Sequence, residues 1–360
     1  MSFKNSLKGT EPYMNSCHAS IERDFKWIWK YLGMTKGYGN WDNTYEERPD
    51  DTGFKSIETD HETKERINGI AGVDADCFKG ADFIQIINPA DFQERIKVFS
   101  ECKPIVAYVN GQWLTPQLDT IVGHMNKQWE EGKVCNIALG VYTKVEETYI
   151  RERLHNELQE RVHHIRFAKR KEDYCPWLFD DSIQQPARER FVFTSNHSIH
   201  HRPDSCMYPQ WRDSVRDFPH ILSGRHTEEI LQDGGVGMLT FDAQKRYMQT
   251  CGVYLGVPCT PAPIVLNFIE AMMTGAPVAY FDNARGALQE EIFDGGVGCC
   301  SHDVGQIRAY LEKCLKDDGY RAEQSEKCMA RAHEFFDFTN QSEKWGKLYD
   351  NLLNKTLQKA

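Results

Sequence analysis

The chain has 360 residues, 43 of them Lys or Arg and 53 Asp or Glu, for a formal net charge of −10. With 40% hydrophobic and 27% charged residues it has the composition of an ordinary globular protein, long enough for about two domains. Disorder, collagen-like repeats and a disulfide miniprotein are excluded, and the acidic balance argues against general nucleic-acid binding.

No window reaches the roughly 18–20 apolar residues of a membrane helix. The start, Met1-Ser2-Phe3-Lys4-Asn5-Ser6, lacks the apolar core of a signal peptide. A cytoplasmic protein is expected, with no membrane partner. The twelve cysteines fit this compartment, since only Cys299 and Cys300 adjoin and no Cys-x-x-Cys occurs. Charge is uneven along the chain. Residues 40–101 carry 15 acids against 7 bases, and residues 151–171 carry 7 bases against 3 acids.

In chain order, Tyr13 to His18 reads as a short strand and turn. Ile21, Phe25, Ile28 and Leu32 then form one helical stripe. Residues 39–66 are polar and read as a surface excursion. Asp82–Ile87 is a strand closed by Asn88-Pro89, and Asp91–Ser100 a helix. Pro104–Val109 is the next strand, closed by Asn110-Gly111. A helix over 118–131, a strand over Val134–Val141 and a strand around Val162–Phe167 follow. Pro176–Pro186 has no periodicity and reads as a linker.

The second series opens with a strand at Arg190–Thr194. A helix within Pro209–Arg216 and strands at His220–Gly224 and Gly237–Phe241 come next. Then come a helix over 242–250, a strand at Gly252–Val257, a helix over 263–274 and a strand at Pro277–Phe281. The tail is helical, with Trp345, Leu348, Leu352 and Leu353 near helical spacing. The expected division is 1–180, 187–340, and a C-terminal helix over 341–360 returning to the first domain. Two β-α series imply an α/β protein with two parallel sheets. Ligands of such sheets bind at the carboxyl ends of the strands, here across an expected cleft.

The informative stretch runs from Cys259-Thr260-Pro261-Ala262-Pro263 through Asn267-Phe268-Ile269-Glu270-Ala271-Met272-Met273-Thr274-Gly275-Ala276-Pro277-Val278. Pro263 suits a first helical turn, with Thr260 as a cap, and Gly275 suits the position after the helix end. Asn267, Glu270 and Thr274 make one narrow polar stripe on an apolar helix. A buried carboxylate is costly unless paired. Either a neighbouring group satisfies Glu270 structurally, or Glu270 accepts hydrogen bonds from ligand hydroxyls.

This stretch resembles the donor domain of GT-B glycosyltransferases, in particular the retaining, family-4-like group with its Glu-Ala-Met-x-x-Gly-x-Pro-Val run. The resemblance implies a GT-B fold with two Rossmann-like domains and transfer of a sugar from a nucleotide-sugar donor, expected to be a UDP-sugar. It assigns Glu270 to the ribose hydroxyls and the amides of Ile264, Val265 and Leu266 to the diphosphate. Arg202, with Arg212 and Arg225, is the candidate cation, and Phe241 borders the base. The family usually has a second Glu eight residues before the first; here that position is Ala262, so the sugar's identity is open. On the first domain, Ser16 and His18 are candidates for the acceptor, and His18, Asn110 and His124 for catalysis. In this mechanism the departing phosphate helps take the proton, so no dedicated protein base is required; no cofactor and no metal are expected.

The Asn267–Gly275 form of the motif resembles bacteriophage-encoded transferases. That implies an acceptor in double-stranded DNA carrying 5-hydroxymethylated pyrimidines, within the host cytoplasm. The basic run Arg161–Lys171, with Lys169 and Arg170, would then contact phosphates. A glycan, protein or small-molecule acceptor is the alternative, as is a nucleotide-sugar-binding protein without turnover. Two metal-like patterns fall short of a site. Asp74-Ala75-Asp76 is short and lacks a preceding strand. His197, His200 and His201 lack a cysteine or carboxylate to complete a set.

Overall fold

The computed structural model describes residues 3–15, 19–40, 51–87, 93–109, 115–258, 266–282 and 291–354. It divides into two units: residues 1–168 with 338–360, and residues 169–337. The division falls at 168/169, not within 180–187, and the final helix, Phe338–Asn354, belongs to the first unit.

The first unit carries a seven-stranded, wholly parallel sheet. Its strands are β1 (Pro12–Asn15), β2 (Lys36–Asn40), β3 (Lys55–Glu58), β4 (Phe83–Ile87), β5 (Ile105–Val109), β6 (Ile137–Val141) and β7 (Val162–His164). The order is β3-β2-β1-β4-β5-β6-β7. β4, β5 and β6 are buried along their whole length, as strands covered on both faces should be, with Gln85 of β4 the one polar side chain among them. The order reverses between β1 and β4, the position at which such sheets take ligands.

The expected surface excursion over 39–66 instead holds the end of β2, all of β3 and the helix His61–Gly69. β3 is an edge strand with Lys55, Ser56 and Glu58 exposed, so it lacks the apolar signature of a buried strand. β2 contains Gly37, where a Cβ would stand 2.8 Å from the Pro12 carbonyl oxygen. Only glycine lets these two strands approach so closely. The final helix packs on this sheet through Trp345 and Tyr349. The Tyr349 hydroxyl donates to Gln85 Oε1 (2.9 Å) and accepts from Trp29 Nε1 (3.2 Å).

The second unit carries a five-stranded parallel sheet: β8 (Val192–Ser195), β9 (His220–Ser223), β10 (Val253–Gly256), β11 (Val278–Phe281) and β12 (Cys299–Ser301). The order is β12-β11-β10-β8-β9. From β8 the chain builds outward to β9, then returns to β10 on the other side. The switch point lies between β8 and β10. The strand expected at Gly237–Phe241 is absent. Gly234 and Gly237 have φ of 72° and 79°, which breaks extended geometry, and only a single bridge joins Leu222 to Gly235. Thr240 instead caps a helix, Phe241–Thr250, its hydroxyl accepting from the Ala243 amide. No helix among the described residues is long and apolar enough to cross a membrane.

Candidate functional site

The motif helix of the second unit is Leu266–Met273, with Phe268 to Met273 all buried. Its polar stripe points into protein at each position. Asn267 Nδ2 donates to the Ser195 carbonyl (3.0 Å), and Gln244 Nε2 donates to Asn267 Oδ1 (3.3 Å). These bonds tie the start of the helix to the carboxyl end of β8. The Thr274 hydroxyl donates to the Met248 carbonyl (3.1 Å).

Glu270 is 1% exposed. Its Oε1 stands 3.4 Å from Lys169 Nζ and accepts from the Tyr174 hydroxyl at 3.2 Å. Lys169 is 0% exposed, so this is a wholly buried ion pair. The carboxylate expected to grip ribose is thus occupied inside the unit. Lys169, expected to meet DNA phosphate, is occupied by the same pair.

The rest of the basic run is also internally committed. Arg161 is 1% exposed and bonds the Asn351 carbonyl, and burial lowers its pKa. His164 Nε2 lies 2.9 Å from the Tyr142 carbonyl. Arg170 stands 3.6 Å from Asp173, and Lys171 3.3 Å from Asp337. The segment that suggested a phosphate-binding surface is therefore built into the fold. Its positive charge in the sequence answers buried or local partners.

The sheet's carboxyl end presents a different set of groups. The turn after β8 runs Asn196-His197-Ser198, and the turn after β9 runs Gly224-Arg225-His226. The two are laced together: the Asn196 amide donates to the Ser223 carbonyl (2.9 Å), and the Ser198 amide to the Arg225 carbonyl (2.7 Å). Gly224 has φ +137°, and a Cβ there would lie 2.1 Å from the Asn196 carbonyl oxygen. No other residue fits this crossing.

His197 joins two of the expected cations. Arg202 donates to its carbonyl oxygen, and the Arg225 amide donates to its Nδ1 at 3.0 Å. A ring nitrogen that accepts from an amide carries no proton, so the neutral ring holds its proton on Nε2. Burial, then the charges of Arg225 and Arg202, push the imidazole pKa down. Both arginines are exposed. Beneath them, Asn196 Oδ1 and Ser223 Oγ are buried with no hydrogen-bond partner among the described residues. Sequence reasoning did not single out Asn196, Ser223 or the role of His197. Their signal is position at a strand end, visible once β8 and β9 are placed as neighbours.

The same turns carry a second cluster. Glu229 Oε2 lies 3.1 Å from His200 Nε2 and 2.9 Å from His201 Nε2, and Glu229 Oε1 lies 3.1 Å from His226 Nδ1. Hydrogen bonds from His200, then His201 and His226, hold the Glu229 carboxyl below its usual range. The sequence showed two of these imidazoles without a carboxylate; the fold supplies one from 28 residues downstream.

The remaining expected residues separate. Arg212 lies exposed on the helix Tyr208–Val215. Phe241 opens the helix after Thr240, half-buried, with Lys245 Nζ 5.1 Å from its ring centre. Leu266 is half-buried at the helix start. His124 lies on the helix Thr115–Glu130 and meets Ser100 Oγ at 3.1 Å. It is a helix–helix contact whose burial lowers the imidazole pKa, not a strand-end group. Asp74 accepts from the amides of Asp76 and Cys77 and pairs with Arg66 at 2.9 Å, so its carboxylate caps a turn. Ser16, His18, Asn110, Ile264 and Val265 lie outside the described residues.

No protein-family model matches the chain, and no curated protein sequence matches it. Solved structures do. Anabaena HepE, crystallised in complex with UDP and glucose, is similar with a TM-score of 0.67 at 12% identity, over 95% of this chain and 99% of that one. A glycosyltransferase from Rickettsia africae gives a TM-score of 0.69 at 11% identity, over 97% and 99%. Sucrose-phosphate synthase from Thermosynechococcus elongatus gives 0.65 at 15%, over 96% and 99%. The fold is GT-B. Open parallel α/β sheets take ligands outside the carboxyl ends of their strands, and Arg202, Arg225 and His197 meet at those ends in the second unit.

Proposed function

We propose that this chain is a glycosyltransferase whose second unit binds a nucleotide-sugar, with a UDP-sugar as donor. The observation that carries this is the meeting of Arg202 and Arg225 on His197, above the buried polar atoms of Asn196 and Ser223, at the strand ends of the GT-B sheet. The Arg202 guanidinium held on the His197 carbonyl, the neighbouring Arg225 charge and an Nε2–H donor suit a diphosphate. They also suit the charge that grows on it as the sugar leaves. The similar HepE structures, which hold UDP and UDP-glucose, support the donor class.

In this mechanism the sugar passes to an acceptor hydroxyl with retention of configuration, and the departing phosphate takes the proton. The transfer itself needs no metal. Glu270 acts indirectly: its pair with Lys169 fixes the helix whose first turn, at Leu266, faces the diphosphate. DNA loses the basic surface that suggested it as acceptor, and hydroxymethylated DNA becomes one arm of an acceptor screen beside glycans and small alcohols. Ala262 favours a second reading, a nucleotide-sugar-binding protein without turnover.

Calorimetry with UDP, uridine and UDP-glucose tests the donor site. UDP should bind at least tenfold more tightly than uridine, a difference of roughly 1.4 kcal/mol or more. Equal affinity would remove the diphosphate site. Donor hydrolysis and transfer to the acceptor screen, followed by mass spectrometry, separate the enzyme from the binding protein.

A further inference from the structure

We propose that His200, His201 and Glu229 form a binding site for a divalent transition-metal ion of the zinc class, which clips the turn after β8 to the turn after β9. Their ligand atoms lie within 4.8 Å of one another. For ligands about 2.0–2.1 Å from zinc, neighbouring ligand atoms stand roughly 3.3 Å apart in a tetrahedron and roughly 2.9 Å in an octahedron. The two imidazole-to-carboxylate distances, 3.1 and 2.9 Å, fall in this range.

The carboxylate is oriented for the task. His226 Nδ1 meets the other oxygen, Oε1, at 3.1 Å, which turns Oε2 toward the two imidazoles. Outer partners of this kind fix ligating groups in metal sites. The ligands are also carried on anchored backbone. Ile199, next to His200, and Ile230, next to Glu229, are both buried in the core cluster of this unit. The Ser198-to-Arg225 hydrogen bond joins the two turns directly. Two imidazoles among three ligands select zinc, cobalt or nickel over magnesium or calcium, which take oxygen. Three protein ligands leave at least one position for water.

The site is independent of the transferase proposal and needs no turnover to be seen. The full chain, stripped with EDTA, would be dialysed against micromolar Zn²⁺, and its thermal midpoint recorded with and without the ion. His201→Ala and Glu229→Gln change exposed side chains, and their metal-free melting curves serve as folding controls. The expected result is about one Zn²⁺ per chain with a raised midpoint, and binding at least about tenfold weaker in both variants with the rise lost. The proposal fails if the chain retains no Zn²⁺. It fails equally if both variants bind and respond as the parent does, which would place the ion elsewhere.

Discussion

Glu270 and Glu229 belong to the same unit and keep opposite company. Glu270 lies on an apolar helix, 1% exposed, against one lysine and one tyrosine. Glu229 lies on an exposed turn among three imidazoles. The residue with the recognisable motif is paired inside its unit, and the residue without a motif stands in the turns that follow β8 and β9. A charge in low dielectric must be matched where it sits, so a buried carboxylate is bound to its partner. An exposed carboxylate keeps water and ligands as alternatives.

The largest expected effect breaks the buried side of this contrast. Glu270→Ala leaves Lys169 charged and unmatched, at a cost of about 3–5 kcal/mol, or on the order of 10 °C in the melting midpoint. The double change Lys169→Met with Glu270→Leu should be less harmful than either single one, since it removes both charges together. Thermal or urea denaturation of the four proteins completes the cycle. If Glu270→Ala melts like the parent and only nucleotide affinity falls, Glu270 is a ligand group and the contrast is wrong.

Gly224→Ala comes next and strikes the exposed side. The new Cβ meets backbone 2.1 Å away at φ +137°, so the crossing of the two turns must open. A loss of about 2–4 kcal/mol is expected. UDP affinity should fall with it, because Arg225 is the next residue. Arg202→Ala and Arg225→Ala sharpen the same point at smaller cost. Each should weaken UDP binding about tenfold, roughly 1.4 kcal/mol, with stability within about 0.5 kcal/mol of the parent. Calorimetry and melting curves on the same samples separate the two effects.

How much of this was legible beforehand follows from what each residue depends on. β4, β5 and β6 were readable because a strand covered on both faces is a near-continuous apolar run; β5 and β6 are such runs, and only Gln85 interrupts β4. β3 was not, because an edge strand with three exposed polar residues has the composition of a loop. Gly237–Phe241 misled in the other direction: its short apolar stretch of Met238, Leu239 and Phe241 has a strand's composition, but glycine at positive φ ends the strand before it starts. The site divides in the same way. Arg202 and Arg225 could be named from strand ends, which is local information. The Lys169–Glu270 pair spans 101 residues, and His201 meets Glu229 across 28. No spacing rule reaches that far, and only the sheet order brings those segments together.

The smallest expected effect concerns pH, and His197 sets its sign. Burial and two arginines lower this imidazole's pKa in the folded chain, while in the unfolded chain it returns to about 6.5. Below that pH the unfolded chain binds more protons, so stability falls as pH falls. The contribution is fully present above about 6.5 and is lost progressively down to the folded pKa. His124, His163 and His333 are lowered by burial and add with the same sign. The melting midpoint should therefore drop between pH 7 and pH 5. His197→Asn keeps an acceptor for the Arg225 amide but removes the titration, so its decline should be shallower, by at most about 1.4 kcal/mol for each pH unit the imidazole is displaced. An unchanged slope would mean that the folded and unfolded chains protonate His197 equally, so that neither burial nor the two arginines displace its titration.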